Sequence, residues 1–155
     1  MKPLIDMITD EMNLTKELII KSYKDKGLKA SGKFERDLEV VITESGSLIK
    51  AKLLGSYHSY FMQYGRRPNS DQSLSQARGL GKILEQWVKD KGISVNPYAA
   101  AWKIVHEGIK VPNSYNPGGV VSDVANETWL KGISDRLISR QTELIRSEIL
   151  KIWQQ

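Results

Sequence analysis

The sequence predicts an α+β fold in a single domain over residues 1–155, with an antiparallel β-hairpin or small sheet packed against several helices and long N- and C-terminal helices. Three observations predict it. Apolar residues recur at three- and four-residue steps near both ends of the chain, residues 36–54 alternate with a period of two, and no linker or internal repeat divides the chain. With 155 residues, 40% of them apolar, the chain is long enough to bury one sizeable core.

The N-terminal segment 1–28 is predicted to be helical over residues 4–26, and it ends at Gly27 because glycine accepts the left-handed conformation. Leu28 is expected to pack back on the last helical turn. The predicted buried stripe consists of Leu4, Ile5, Ile8, Met12, Leu18, Ile19 and Tyr23.

Two features of this helix concern polar residues. Asp10 and Glu11 are expected on a solvated face, since lysines lie nearby in the sequence. A break near residue 13 stays open, because Asn13 or Thr15 is able to cap a second helical start.

Residues 33–55 are predicted to form the β-hairpin, with strands over 36–43 and 47–54 joined by the turn Glu44-Ser45-Gly46. On the outer face we expect Glu39 to pair with lysines of the facing strand. Val41 and Leu48 are expected to be exposed among these charges. The predicted inner face consists of Leu38, Val40, Ile42, Ile49, Ala51 and Leu53.

Residues 56–110 are predicted to form a helical region with an arginine-rich loop. Its helices are expected over 56–64, 80–92 and 97–109, and the loop over 65–79. Large rings dominate protein cores, so the aromatic residues of this region are predicted to be buried. They are Tyr57, Tyr60, Phe61, Tyr64, Trp87 and Trp102.

Local signals mark the ends of these helices. Gly92 with Ile93 is a good stop, and Asn96-Pro97 places a capping residue before a proline at the first helical position. A second loop is predicted over 111–121, followed by the last helix over 123–153. The predicted buried stripe of that helix is Leu130, Ile133, Leu137, Leu144, Ile149 and Ile152 or Trp153.

No motif in the sequence indicates catalysis, a metal site or a cofactor. There is no cysteine, and His58 and His106 are not spaced as metal ligands. Residues 79–82, Gly-Leu-Gly-Lys, lack the spacing and the Ser or Thr of a phosphate-binding loop. The sequence therefore favours a binding or structural protein over an enzyme.

The net charge is +5, and its excess is concentrated in residues 56–95. A basic surface of this kind is typical of small nucleic-acid-binding domains, although modest excesses are also common on solvated surfaces. No apolar run approaches the length of a membrane helix, and Asp6 and Asp10 lie where a signal peptide needs an apolar core. We expect no membrane contact.

The order of the motifs resembles the tail completion, or neck, proteins of tailed bacteriophages, a family related to tail terminators. The resemblance covers roughly residues 30–125. This sequence departs from the family pattern at Gln63, where an acidic residue is common, and at Arg66, where threonine is common. The residues that carry the resemblance are Tyr57, Tyr60-Phe61, Gln63-Tyr64-Gly65-Arg66-Arg67-Pro68, Trp87-Val88-Lys89-Asp90-Lys91-Gly92-Ile93, Ala99-Ala100-Ala101-Trp102-Lys103-Ile104, Gly108-Ile109 and Val111-Pro112.

The resemblance implies a structural virion protein rather than an enzyme. Such a protein forms a homo-oligomeric ring in the neck, joins the head connector to the tail or completes the tail end, and is assembled in the cytoplasm of the host bacterium. The implied partners are copies of itself, portal- or adaptor-side connector proteins and tail proteins, with passing contact to DNA in the ring lumen. The alternative is a small basic nucleic-acid-binding domain.

The predicted partner contacts lie in the two loops and on the outer face of the hairpin. Arginine and tyrosine are enriched at interfaces, because the first forms paired hydrogen bonds and the second offers a large area at low entropic cost. The candidate contact residues are Arg66, Arg67, Pro68, Tyr115, Leu48 and Val41.

Overall fold

The computed structural model describes residues 2–153 and confirms the α+β class with long first and last helices. Within this range, one two-stranded antiparallel sheet accompanies six helices. In chain order the elements are α1 (Lys2–Asp25), α2 (Lys33–Asp37), β1 (Glu39–Ser45), β2 (Leu48–Leu54), α3 (Tyr57–Tyr64), α4 (Leu74–Lys91), α5 (Pro97–Glu107) and α6 (Glu127–Trp153).

Helix α1 is continuous, without a break near residue 13. Gly27 has a φ of +67°, and the Leu28 amide donates to the Tyr23 carbonyl, so the predicted helix end is confirmed. Leu18 of the predicted stripe is exposed. The buried side chains recur instead every four residues, at Glu11, Thr15, Ile19 and Tyr23.

The hairpin begins later than the prediction, because residues 33–37 form the short helix α2. Phe34 and Leu38 are four residues apart and both buried, and the Phe34 ring lies 4.4 Å from that of Tyr23. Phe34 of α2 and Leu38 directly after α2 therefore both contribute to the core. The core cluster consists of Ile19, Tyr23, Phe34, Leu38 and Val120.

Strands β1 and β2 pair with Ser45 opposite Leu48, leaving a two-residue connection at Gly46 and Ser47. Val40 faces Leu53 and Ile42 faces Ala51, so the predicted inner sets do lie on one face. The expected pairing of Glu39 with lysines is wrong, since Glu39 lies opposite Leu54.

Helix α4 begins at Leu74, six residues before the predicted start, so the arginine-rich loop is shorter than predicted. Gly79 and Gly81 lie inside the helix. At Gly81 a Cβ atom would lie 2.4 Å from Cδ1 of Tyr98, so this glycine permits close contact between α4 and α5. The predicted end at Gly92 is confirmed, because its φ is +63° and the Ile93 amide donates to the Val88 carbonyl.

Helix α5 has the predicted cap. The Asn96 Oδ1 accepts hydrogen bonds from the Tyr98 and Ala99 amides at 2.9 and 3.1 Å, and Pro97 occupies the first helical position. The prediction that Trp102 is buried is wrong: its ring is 50% exposed and stacks on the imidazole of His106 at 4.2 Å. Trp87 is half-buried.

Helix α6 begins at Glu127 rather than 123, where the Asn126 side chain accepts from the Trp129 amide at 3.0 Å. It runs antiparallel to α1. Trp129 Nε1 donates to Thr15 Oγ1 at 2.9 Å, and seven residues later Arg136 bonds the carboxylate of Glu11. None of the helices described between residues 2 and 153 has the length and hydropathy needed to cross a bilayer.

Candidate functional site

The candidate residues of the arginine-rich loop differ in what they contact. The Arg66 backbone exchanges two hydrogen bonds with Ile109, at 2.8 and 2.7 Å. Its guanidinium lies 5.7 Å from the ring centroid of Phe61 and donates to Asn69 Oδ1. Arg66 is thus half-buried and engaged within its own chain, whereas Arg67 and Pro68 are exposed.

Two glycines hold this loop against the end of α5. A Cβ atom at Gly65 would lie 2.2 Å from the Ile109 carbonyl oxygen, and one at Gly108 would lie 2.3 Å from the Arg66 carbonyl oxygen. Gly65 and Gly108 also have φ values of +78° and +76°, which residues with a side chain rarely adopt. The backbone on either side of the exposed Arg67 is therefore held against the end of α5.

Helix α3 presents an aromatic face made of Tyr57, Tyr60 and Tyr64. These side chains are 77%, 55% and 67% exposed, so the prediction that they are buried is wrong. The ring centroids of Tyr57 and Tyr60 lie 6.3 Å apart and those of Tyr60 and Tyr64 5.0 Å apart, so the rings form one continuous surface.

The opposite side of α3 explains why the tyrosines face outward. Gln63 accepts a hydrogen bond from the Val121 amide at 3.0 Å and donates to Ser122 Oγ at 2.8 Å. Asn116 donates to the Met62 carbonyl at 2.8 Å. Polar contacts thus hold α3 to the loop before α6. The pattern of aromatic residues in the sequence did not predict these contacts.

Tyr115 lies at the tip of that loop. Its amide donates to Asn113 Oδ1 at 2.8 Å, and its side chain is 78% exposed. Because the adjacent Asn116 bonds α3, the Tyr115 loop and the aromatic helix are neighbours. On the hairpin, Leu48 is exposed and Val41 half-buried, both on the outward face. The structure therefore presents most of the predicted contact residues to solvent.

The end of α6, residues 142–153, is exposed at every position. Because α1 runs antiparallel to α6 and begins at Lys2, nine residues before Glu11, its start lies opposite about residue 145 of α6, and only the residues after that point extend past it. The predicted burial of the second half of the stripe is wrong, because these side chains are exposed. The exposed large apolar side chains here are Leu144, Ile145, Ile149, Leu150, Ile152 and Trp153.

A partly open pocket of about 290 Å³ lies between α1, the hairpin, α3 and the start of α6. Ser59 lies at its wall, and its hydroxyl has no hydrogen-bond partner in the described structure. The other lining residues are Met12, Thr15, Ile19, Phe34, Leu38, Leu53, Gly55, Val121, Ala125 and Trp129.

Between residues 2 and 153, no three His, Asp or Glu side chains lie where they could hold a metal ion. His106 Nδ1 bonds the Trp102 carbonyl oxygen at 2.8 Å, and burial lowers the pKa of His58. Comparisons with family models, curated proteins and solved structures found no match to this chain.

Proposed function

We propose that this chain is a structural protein of a tailed-phage virion, which assembles into a ring in the neck and joins the head connector to the tail or completes the tail end. The observation that carries the proposal is the end of α6, residues 142–153, where all twelve residues are exposed and six of them are large apolar side chains. Exposed apolar surface of this extent is typical of protein–protein contacts. The motif order of residues 30–125 supplies the phage context.

The proposal assigns the chain no catalytic role and no cofactor. Its partners are copies of itself, the portal- or adaptor-side connector proteins and tail proteins, and its location is the virion after assembly in the host cytoplasm. Arg67, Pro68, Tyr115 and Leu48 support it as exposed side chains available to such partners.

Sedimentation and native mass spectrometry at tens of micromolar test the proposal, with electron microscopy of any assembled fraction. We expect a closed oligomer of identical chains, or the protein as a component of purified phage particles. A chain that stays monomeric in isolation and is also absent from particles contradicts the proposal.

One observation favours the alternative, a nucleic-acid-binding domain. Residues 45–70 contain no Asp or Glu, but they do contain Lys50, Lys52, Arg66 and Arg67. Phosphate contacts make affinity fall steeply with salt, by roughly a thousandfold between 50 and 200 mM for six or more contacts. We expect weak, sequence-independent DNA binding with a shallower salt dependence. Tight binding at physiological salt that Lys50→Ser, Lys52→Ser and Arg67→Ser together abolish would establish the alternative.

A further inference from the structure

Residues 66–109, which include α4 and α5, have an interior of their own. Their buried residues are Ala77 and Gly81 on α4 and Ala101 and Val105 on α5, and these two helices pack chiefly on each other. In the described chain, neither the core cluster nor the apolar side chains packed against it include a residue of this segment. We call residues 66–109 the arm and the rest of the described chain the body.

The arm joins the body at a narrow neck. The chain enters the arm at Arg66 and leaves it at Ile109, and the backbones of these two residues bond each other at 2.8 and 2.7 Å. The Asn69 amide donates to the Val105 carbonyl oxygen at 2.8 Å, so the loop that leads to α4 is held to α5. The Arg66 guanidinium lies over the ring of Phe61 at the same place. Both chain crossings therefore lie side by side, which is the arrangement of a hinge.

Away from the neck, Lys91 links the arm to the body. Its ammonium group donates to the carbonyl oxygen of Gly27, just after the end of α1. Among residues 2–153, no other hydrogen bond or ion pair joins the arm to the body. Burial lowers the pKa of Lys91, so this side chain is partly withdrawn from water. A cation is also favourable at the C-terminal end of a helix, because the helix dipole is negative there.

We propose that the arm turns as one unit about the neck, and that the contact between Lys91 and Gly27 is the latch that holds it in the position described. Relative motion is expected where two units share a small, polar interface. Within the arm, Gly81 lies against the ring of Tyr98 and the Tyr98 hydroxyl donates to Glu85, so α4 and α5 move together. The proposal goes beyond the proposed function, since it applies to a single chain whether or not copies assemble.

Distances between spin labels test the latch, because the chain has no cysteine and labels attach only where one is introduced. The pair Asn13→Cys with Lys82→Cys reports on body and arm, and both positions are exposed. Lys91→Met keeps the aliphatic chain but lacks the ammonium group. We expect it to widen the distribution of distances for this pair by about twofold or more, because the arm is then held only at the neck. Circular dichroism checks that each variant is folded.

Two controls make the result specific. Lys89→Met changes an exposed lysine of the same helix, and we expect it to leave the distribution unchanged. The pair Lys82→Cys with Lys103→Cys lies within the arm, and we expect its distribution to stay narrow in every variant. Equal widths for Lys91→Met and Lys89→Met, whether narrow or broad, overturn the proposal. Widening of the pair within the arm by Lys91→Met also overturns it, since α4 and α5 would then separate instead of moving together.

Discussion

The Glu11 carboxylate lies between α1 and α6 with only 4% of its side chain exposed. Arg136 donates to it from Nε, at 2.9 Å to Oε1, and from Nη2, at 2.7 Å to Oε2. The hydrogen bonds from Arg136 lower the pKa of Glu11 below its ordinary value of 4.5, against the opposing effect of burial. The pair therefore stabilises the fold at pH values above 4.5. This contribution is lost as the pH falls through the lower pKa of Glu11 in the folded state.

Replacing Arg136 by methionine leaves Glu11 buried and unpaired. We expect Arg136→Met to lower the free energy of unfolding at pH 7, because the buried Glu11 carboxylate loses its partner. Burial without a partner raises the pKa of Glu11, so this variant is destabilised as the pH rises, and its deficit relative to the parent is smaller at pH 4. Urea unfolding at both pH values measures the difference.

The double variant Glu11→Gln with Arg136→Met is the control, because a neutral amide removes the titration of this site. At pH 7, the loss of unfolding free energy relative to the parent should be smaller for this double variant than for Arg136→Met. Equal losses for Arg136→Met at pH 4 and pH 7 would contradict the assignment of the carboxylate as the source of the effect.

At the scale of elements, the α4–α5 pair depends on a glycine. Gly81 is buried beneath the ring of Tyr98, and the Tyr98 hydroxyl donates to Glu85 Oε1 at 2.8 Å, which keeps that ring on α4. This hydrogen bond also raises the pKa of Tyr98. Gly79, two residues earlier, has open space where a Cβ atom would be. The two glycines therefore serve different purposes on one helix.

Alanine substitution separates these roles. We expect Gly79→Ala to raise the free energy of unfolding by up to about 1 kcal/mol, because alanine favours the helix. Gly81→Ala gains the same propensity but forces the Tyr98 ring to move, and we expect a net loss of about 1–2 kcal/mol. Chemical unfolding of both variants provides the comparison. A Gly81→Ala protein as stable as Gly79→Ala would show that α4 and α5 tolerate a wider separation.

The sequence alone was sufficient to predict the structure where that structure depends on local chemistry. Gly27 and Gly92 end their helices, and Asn96 caps α5, because each acts on backbone groups within a few residues. It was insufficient where structure depends on distant neighbours. Burial of Glu11 requires Arg136, which is 125 positions away, and the helical form of residues 33–37 requires a core already built by α1.

The same distinction applies to the candidate site. Exposure of Arg67, Tyr115 and Leu48 was predictable, since loops with turn-forming residues and the outer positions of hairpins face solvent. The internal engagement of Arg66 was not, because it depends on Phe61 and on an Asn69 carbonyl oxygen placed by the loop. The outward direction of the α3 tyrosines depends on Gln63, whose partners lie 58 and 59 positions further along the chain.

At the scale of the whole molecule, α6 is divided between two roles. Its first half is part of the fold, with Ile133 buried and with Trp129 and Arg136 bonded to α1. Its second half contributes exposed surface only. A long helix with one supported and one unsupported half is expected where the partner of the second half is another chain.

Ending the chain after Gln141 tests this division. We expect the truncated protein to keep its free energy of unfolding within about 1 kcal/mol of the parent, because the removed side chains are exposed. We also expect it to lose any self-association of the parent. Thermal unfolding and sedimentation measure the two properties, and full-length protein with Ile145→Ser and Ile149→Ser is the matched control. A large fall in stability on truncation would show that the α6 end supports the fold.

The unsupported end of α6 also affects the timing of association. Short helices without tertiary contacts are marginal in water, so the last turns of α6 belong to the least stable part of the free protein and open without global unfolding. A neighbour that binds them has to order them, at a cost of roughly 1–2 kcal/mol for each residue fixed. That entropic cost weakens the first encounter between two free copies. Once one neighbour is in place on a preformed support, the helix end is already ordered, and the next copy associates without this penalty.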